Sequence, residues 1–408
     1  MAKILFVSDV HIGIRYPYRV NLRTGISQRT MDFIDALARV VNFAINNQID
    51  IFVICGDLYD RVTIGPTLLR QVREKIWQPL ISSRIPIVLV GGNHDSPQIL
   101  EKGSPFGEIS IIPDSCAIRY PQSRRITARN TGEEIGFVLL PYMTATQAVV
   151  YAEEQIEEEI ERGQHLIRSQ QLFRDWIKHE VNQLDTKVKV IVGHFFVEGS
   201  RIGILPYPDQ LPHEFKFKRD MLPLSDVDLA VFGHIHTTQV LLDGKLLVPG
   251  SLERVDFGET TEEKGFYIYD SNSKTLKFHS NNPRALVRKF IEVPAETQNP
   301  TEFILSRLPQ KIKEAIVRLD IHISPTLQKR VILPRIYQAL DLAFHYEINW
   351  TTPETTKEIV LSEFILDPLV LFRNFISEQY HDYEYLDKLR DKGLEILNTA
   401  ISRVEESR

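Results

Sequence analysis

The chain has 408 residues, which at ~150 residues per domain predicts two or three domains with a core that needs no disulfide or metal staples. Hydrophobic residues make up 43% and charged residues 25%, which excludes a disordered or fibrous chain. The net charge of −6 excludes a chain-wide electrostatic grip on nucleic acid but leaves room for local basic surfaces.

Two cysteines, Cys55 and Cys116, exclude a disulfide framework and suit a reducing compartment, so a cytoplasmic location is expected. In chain order, the opening segment MAKILFVSDVHIG has only a short apolar run stopped by Asp9, unlike a signal peptide. Up to about residue 280, short apolar runs alternate with amphipathic stretches, the pattern of an α/β layered domain. Residues 4–7, 51–54, 87–90, 188–192 and 229–232 read as buried strands. Phe33, Ile34, Leu37, Val40, Val41, Ala44 and Ile45 predict a helix after the first strand. Pro66 opens another, with Leu69, Val72, Ile76 and Leu80 inward. The uncharged stretch 135–152 contains Gly136, Pro141, Thr144, Thr146 and Gln147, and reads as a strand plus loop rather than a membrane span. No membrane association is expected.

From about Pro283 the sequence predicts a β-α-β-α-β unit: strands at 286–293, 315–323 and 344–350, and helices at 301–308 and 333–342. A Thr/Pro/Glu linker follows at 351–358, then a helix from Asp367-Pro368 and a last helix from about Tyr383. Charge is segregated: residues 1–30 hold Lys3, Arg15, Arg19, Arg23 and Arg29 against Asp9 alone, whereas residues 153–161 hold six glutamates and no base.

Each of the five buried strands ends in metal-ligand residue types. These are Asp9-Val10-His11, Gly56-Asp57, Gly92-Asn93-His94-Asp95, Gly193-His194 and Gly233-His234-Ile235-His236. Ligand sites of open α/β sheets lie beyond the carboxyl ends of the strands, so the five clusters are expected to converge. Asp9, His11, Asp57, Asn93, His194, His234 and His236 are seven potential ligands; a bridging Asp57 makes eight bonds, four to each of two metals. Mixed oxygen and nitrogen ligation suits Mn, Fe, Co or Zn. A lone Asp-X-His or Gly-His-X-His means little, because caps and surface loops make them often; five clusters in order at strand ends are a different matter. Cys55, inside a buried strand, reads as core rather than nucleophile.

This order, with Gly-Asp-Leu-Tyr-Asp-Arg at 56–61, resembles the calcineurin-like metallophosphoesterase superfamily over residues 1–255. Pro-Gly-Ser-Leu-Glu-Arg at 249–254, Asp-Phe-Gly-Glu at 256–259, Lys-Gly-Phe at 264–266 and Gln28-Arg29 are similar to its double-strand-break-repair nuclease branch, the SbcD-type exonuclease subunits. The resemblance implies a two-sheet layered metallophosphoesterase domain at 1–282, a small α+β DNA-capping domain at 283–352, and a linker and helical partner-binding segment at 353–408. It implies one metal at Asp9, His11, Asp57 and His236, and a second at Asp57, Asn93, His194 and His234. His94 is then the catalytic histidine and binds no metal, with Asp95 expected to orient its ring.

The implied activity is hydrolysis of DNA phosphodiester bonds, exonuclease or endonuclease, with two divalent ions, manganese expected. The implied partners are DNA, an SbcC-type coiled-coil ATPase and a second copy of the chain in a homodimer. Arg15, Arg19, Arg23 and Arg29 are the DNA-binding candidates, with Lys216, Lys218, Arg219, Arg284, Arg288 and Lys289 behind them. The alternative is a phosphodiesterase or phosphatase for small substrates, against which the C-terminal residues argue: such an enzyme needs neither capping domain nor terminal helices.

Overall fold

The apolar runs become short strands. In chain order they are β1 (Lys3–Val7), β2 (Ile51–Cys55), β3 (Ile87–Val90), β4 (Cys116–Ile118), β5 (Gln122–Thr127), β6 (Glu134–Leu140), β7 (Val188–His194), β8 (Arg201–Ile202) and β9 (Leu205–Pro206). Then come β10 (Leu229–Gly233), β11 (Gln239–Leu241), β12 (Leu246–Val248), β13 (Gly265–Asp270), β14 (Thr275–Ser280), β15 (Leu286–Glu292), β16 (Ile316–His322) and β17 (His345–Thr351). The structure is a computed structural model and describes residues 2–14, 16, 18–61, 64–95, 109, 112–144, 147–148, 165–202, 205–206, 215, 217–352, 372, 376 and 386–406.

One six-stranded sheet has the order β14-β13-β1-β2-β3-β4, parallel from β1 to β4. A second has the order β11-β12-β10-β7-β6-β5, parallel from β12 to β6. Side-chain alternation sets the layers. Ile4, Phe6, Ile51, Val53, Val88 and Val90 meet Phe137, Leu139, Val190, Val192 and Leu229 in one core between the sheets. Leu5, Val7, Phe52, Ile54 and Leu89 face outward onto Ile34, Leu37 and Val41 of the helix Gln28–Asn46. Val138, Leu140, Ile191 and Phe232 pack on Phe173, Ile177 and Val181 of the helix His165–Gln183. The result is a helix–sheet–sheet–helix sandwich whose central strands are covered on both faces, which is why they read as unbroken apolar runs. β6 uses the start of the uncharged stretch and stops before Pro141. Among the described residues no helix is long and apolar enough to cross a membrane.

After β14 the chain builds a second, smaller core. β15, β16 and β17 form a parallel sheet packed on the helices Pro300–Arg307 and Leu333–Ala339 through Ile291, Ile304, Val317, Leu319, Ile321 and Ile336. Periodicity does not predict the single turn Pro325–Gln328, which Ser324 caps through the Leu327 N–H. This sheet is fastened to the sandwich by Arg284, bidentate on Asp32 at 2.6 and 2.9 Å and lying 3.8 Å over the Phe344 ring. Tyr18 adds to the junction by stacking on His345 at 3.7 Å.

The chain divides into two compact units, Met1–Thr351 and Thr352–Arg408. In the second, the helix Leu386–Glu406 presents Gly393 to the Phe372 ring, where a Cβ would stand 2.2 Å from it. The expected linker at 351–358 begins later than its sequence suggests, since Thr351 ends β17; residues 353–358 and the start of the preceding helix lie outside the described residues, as does the glutamate-rich stretch 153–161.

Candidate metal centre

The five clusters leave the two sheets on the same side. Asp9 and His11 follow β1, Asp57 follows β2, Asn93 and His94 follow β3, His194 ends β7, and His234 and His236 follow β10. Asp9, His11, Asp57 and His234 have φ of 48°, 51°, 50° and 94°, left-handed values that cost non-glycine residues energy and concentrate at functional sites. Two glycines make the crowding possible. A Cβ on Gly56, itself at φ +88°, would sit 2.1 Å from His194 Nδ1, and one on Gly92 would sit 2.1 Å from Asp57 Oδ1.

The side chains converge. His11 Nε2 and His236 Nε2 face each other at 3.1 Å, and His11 Nε2 lies 3.8 Å from Asp57 Oδ2. On the other side His194 Nε2 is 3.3 Å from Asp57 Oδ2 and 3.1 Å from Asn93 Oδ1, which also lies 3.0 Å from His234 Nδ1. Ligand-type atoms group within 4.8 Å as Asp9–His11–His236, as Asp57–His194–His234 and as His11–Asp57–His94. Asp9, His11, Asp57 and His194 are buried, and His11 Nδ1 makes no hydrogen bond, its nearest carboxylate being Asp60 Oδ1 at 3.6 Å. Two imidazole nitrogens cannot both offer lone pairs to each other at 3.1 Å without repulsion unless a proton or cation lies between them. A set of buried carboxylate oxygens, buried and half-buried imidazole nitrogens and the amide oxygen of exposed Asn93, without thiolate, fits divalent cations.

Residues 2–238 match the calcineurin-like phosphoesterase family, more than half of the chain. The chain belongs to that family. The SbcD component of the SbcCD nuclease of Staphylococcus epidermidis is 23% identical over 353 residues, 84% of this chain and 87% of the relative. The SbcD component of the SbcCD nuclease of Bacillus subtilis is 26% identical over 275 residues, 66% of each chain. A solved dimetal phosphatase from Danio rerio matches 69% of this chain and 97% of its own at 11% identity, with a TM-score of 0.42.

Membership of the calcineurin-like phosphoesterases implies divalent metal ions, and the outer partners of the histidines suit that use. His194 Nδ1 donates to the Cys55 carbonyl at 2.7 Å and His236 Nδ1 donates to Glu259 at 2.7 Å, which leaves Nε2 of each for the centre. Cys55 is buried, in keeping with a core role. His94 Nδ1 lies 3.0 Å from the Asp60 carbonyl, which can only accept, so this nitrogen carries the proton.

Asp95 corrects an expectation. It does not touch the His94 ring; its carboxylate accepts the N–H groups of Tyr59 (2.9 Å), Gly92 (3.0 Å) and Leu58 (3.3 Å). It therefore pins the Asp57 loop to the Asn93 loop. Burial, then the neighbouring Asp57, push its carboxyl up to about 6.

Burial works against the charge of Asp57, but the His194 and His11 imidazoles outweigh it and hold the carboxyl well below the usual carboxylate range. Burial likewise opposes a charge on His194, yet Asp57 and Asp9 raise its pKa to about 9. The carboxylates thus keep a proton on His194 that a cation must displace, so ion binding releases protons.

The basic candidates separate. Arg29 is 1% exposed, with Nη1 on Glu253 at 2.8 Å and on Asp32 at 3.2 Å and its guanidinium over Phe33, so it has no surface to offer DNA. It belongs to the fold, and Arg29→Ala, which leaves Glu253 buried without its closest cation, is expected to lower stability by about 3–5 kcal/mol in urea unfolding. Arg284 is held by Asp32 and Arg288 by Asp320. Arg19 is half-exposed over the Phe344 ring, and Arg23 is exposed. Arg15 and Lys216 lie outside the described residues. The sequence missed Glu259, 23 positions from the histidine it backs; only its place in the 256–259 motif singled it out.

Proposed function

We propose that this phosphoesterase is the nuclease component of an SbcCD-type complex, a metal-dependent enzyme that hydrolyses DNA phosphodiester bonds. The observation that carries this is the extent of likeness to the Staphylococcus epidermidis SbcD: 353 aligned residues exceed the 2–238 segment and so take in residues of the C-terminal part. A hydrolase of small substrates has no need for that part. The proposal takes residues 283–352 as the DNA-capping domain, residues 353–408 as the segment that docks on a coiled-coil ATPase, manganese as the ion, and a homodimer as the assembly.

Asp9, His11, Asp57 and His236 would hold one ion, and Asp57, Asn93, His194 and His234 the other, with Asp57 shared. Two such ions, when bound, neutralise charge building at phosphorus and activate a water at neutral pH. The chain itself supplies geometry and one proton. Asp57 Oδ1 accepts the His94 N–H at 2.9 Å, which ties the shared carboxylate to the loop that carries the acid. His94, with Nδ1–H on the Asp60 carbonyl, has Nε2 for the leaving 3′ oxygen: the ring acts with a proton on both nitrogens, gives the Nε2 proton to that oxygen and is left as the neutral Nδ1–H imidazole. Arg19 and Arg23, on the exposed loop before the helix Gln28–Asn46, would contact the DNA backbone.

The test compares the full chain with a chain ending at residue 351, on labelled duplex, hairpin and single-stranded DNA, with Mn²⁺ or with chelator. Both are expected to cleave single strands with Mn²⁺ and neither with chelator; the full chain alone should co-purify with an SbcC-type ATPase. Hydrolysis of bis-p-nitrophenyl phosphate with every DNA left intact would make the enzyme a small-substrate phosphodiesterase. Loss of basal cleavage in the shorter chain would place the last segment in the catalytic core.

A further inference from the structure

The segment after β12 closes on His236 from behind, and the proposed chemistry leaves its side chains unused. Glu259 accepts the Nδ1–H of His236 through Oε1 at 2.7 Å. Its other oxygen is occupied twice, by the Val255 N–H at 2.9 Å and by Lys264 Nζ at 3.0 Å, so the carboxylate cannot rotate away. Lys264 is 1% exposed and holds three oxygens at once: Glu259, Glu262 Oε2 at 2.7 Å and the backbone carbonyl of His236 at 3.0 Å. It therefore grips both the carboxylate behind the ring and the backbone that carries the ring. Glu262 completes the cradle by accepting the Thr237 hydroxyl at 2.6 Å. A buried cluster of two carboxylates and an ammonium adds little net stability over an apolar plug of the same volume. Its effect is to permit one geometry.

We propose that Glu259, locked by Lys264, is a positioning residue that fixes the tautomer and orientation of His236 and so sets the affinity of one of the two metal positions. An imidazole binds a cation only through a nitrogen that carries no proton. With the proton held on Nδ1 by Glu259, the lone pair of His236 sits on Nε2, 3.1 Å from Nε2 of His11. Without that carboxylate the ring can hold its proton on either nitrogen and turn about its side-chain bonds. The ion that shares His236 and His11 then loses affinity, while the position formed by Asp57, His194 and His234, which Glu259 does not touch, keeps its own.

The inference rests on the two-ion reading of the centre, and the experiment separates the two. Mn²⁺ is titrated calorimetrically into metal-stripped full-length protein, wild type, Glu259→Gln and Glu259→Ala. Wild type is expected to take up two equivalents; fewer than two would overturn the two-ion reading and the inference with it. In Glu259→Ala one position should weaken by ~10–100-fold with the other unchanged. Glu259→Gln, whose single amide oxygen can serve either the Nδ1–H of His236 or the Val255 and Lys264 donors but not both, should fall between. Two wild-type positions in either variant, or equal weakening of both positions, would overturn the positioning role. Should Glu259→Ala fail to fold, Glu259→Gln decides by the same criteria.

Discussion

Asp57→Asn is expected to bring DNA hydrolysis below detection and to weaken both metal positions together. A single oxygen of Asp57 faces histidines on both sides of the centre: Oδ2 is 3.3 Å from His194 Nε2 and 3.8 Å from His11 Nε2. Outer partners of metal ligands cost ~10–100-fold when removed, so a carboxylate shared by two ions should cost more than that at each. The substitution is nearly isosteric, and an amide oxygen can still accept the His94 N–H, so the loop connection survives.

Metal-stripped protein gives a second reading of the same change. His194, with its pKa raised to about 9, stabilises the fold below its unfolded pKa, and this contribution is lost as pH rises through about 9. Asp57, held low, contributes above its unfolded pKa and loses that contribution as pH falls below it. Asp57→Asn should flatten both limbs of the chelator-treated stability profile. Two bound ions with turnover intact in the variant would remove Asp57 from the bridging position.

The parts of this fold that the sequence makes legible are those where one physical cause acts on neighbouring residues. β1, β2, β3, β7 and β10 are covered on both faces, so each is a continuous apolar run, and each run ends where a polar cluster begins. The β-α-β-α-β unit from Leu286 to Thr351 is legible through alternation instead: Val317, Leu319 and Ile321 face a core of their own, while Arg318 and Asp320 between them pair with each other. What is not legible depends on residues far apart in the chain. Arg29 reads as a surface charge because Glu253, its closest carboxylate, lies 224 positions away. Asp95 sits next to His94, and proximity in sequence suggests a ring contact; the turn after β3 sends the carboxylate to the amides at Leu58 and Tyr59 instead. Lys264 carries no periodic or capping signal and Asp256-x-x-Glu259 reads only as the cap of a short turn, so only the folded path of the segment after β12 brings the two residues to His236.

His94→Ala is expected to retain both metal positions and DNA binding while kcat falls by ~10²–10⁴-fold, the usual worth of a positioned general acid. The geometry explains why the two properties separate. The link from this residue to the metal centre is its backbone N–H on Asp57 Oδ1, which alanine keeps. The imidazole is held apart from that link by the Asp60 carbonyl on Nδ1, and only the imidazole is lost. A competing role exists in the same structure, because a ring nitrogen of His94 lies within 4.8 Å of ligand atoms of His11 and Asp57 and could join them on an ion. Metal analysis separates the two: loss of one equivalent of Mn²⁺ in His94→Ala makes the histidine a ligand. Leaving-group dependence gives a second separation. An acid that protonates the departing oxygen matters when that oxygen is a poor leaving group, as the deoxyribose 3′ oxygen is. It matters little for p-nitrophenolate, which leaves without a proton. The defect of His94→Ala should therefore be large on DNA and shrink toward wild type on bis-p-nitrophenyl phosphate, at saturating Mn²⁺ and the same pH. An equal defect on both substrates would mean that the ring acts on the phosphoryl oxygens or the ions rather than on the leaving group.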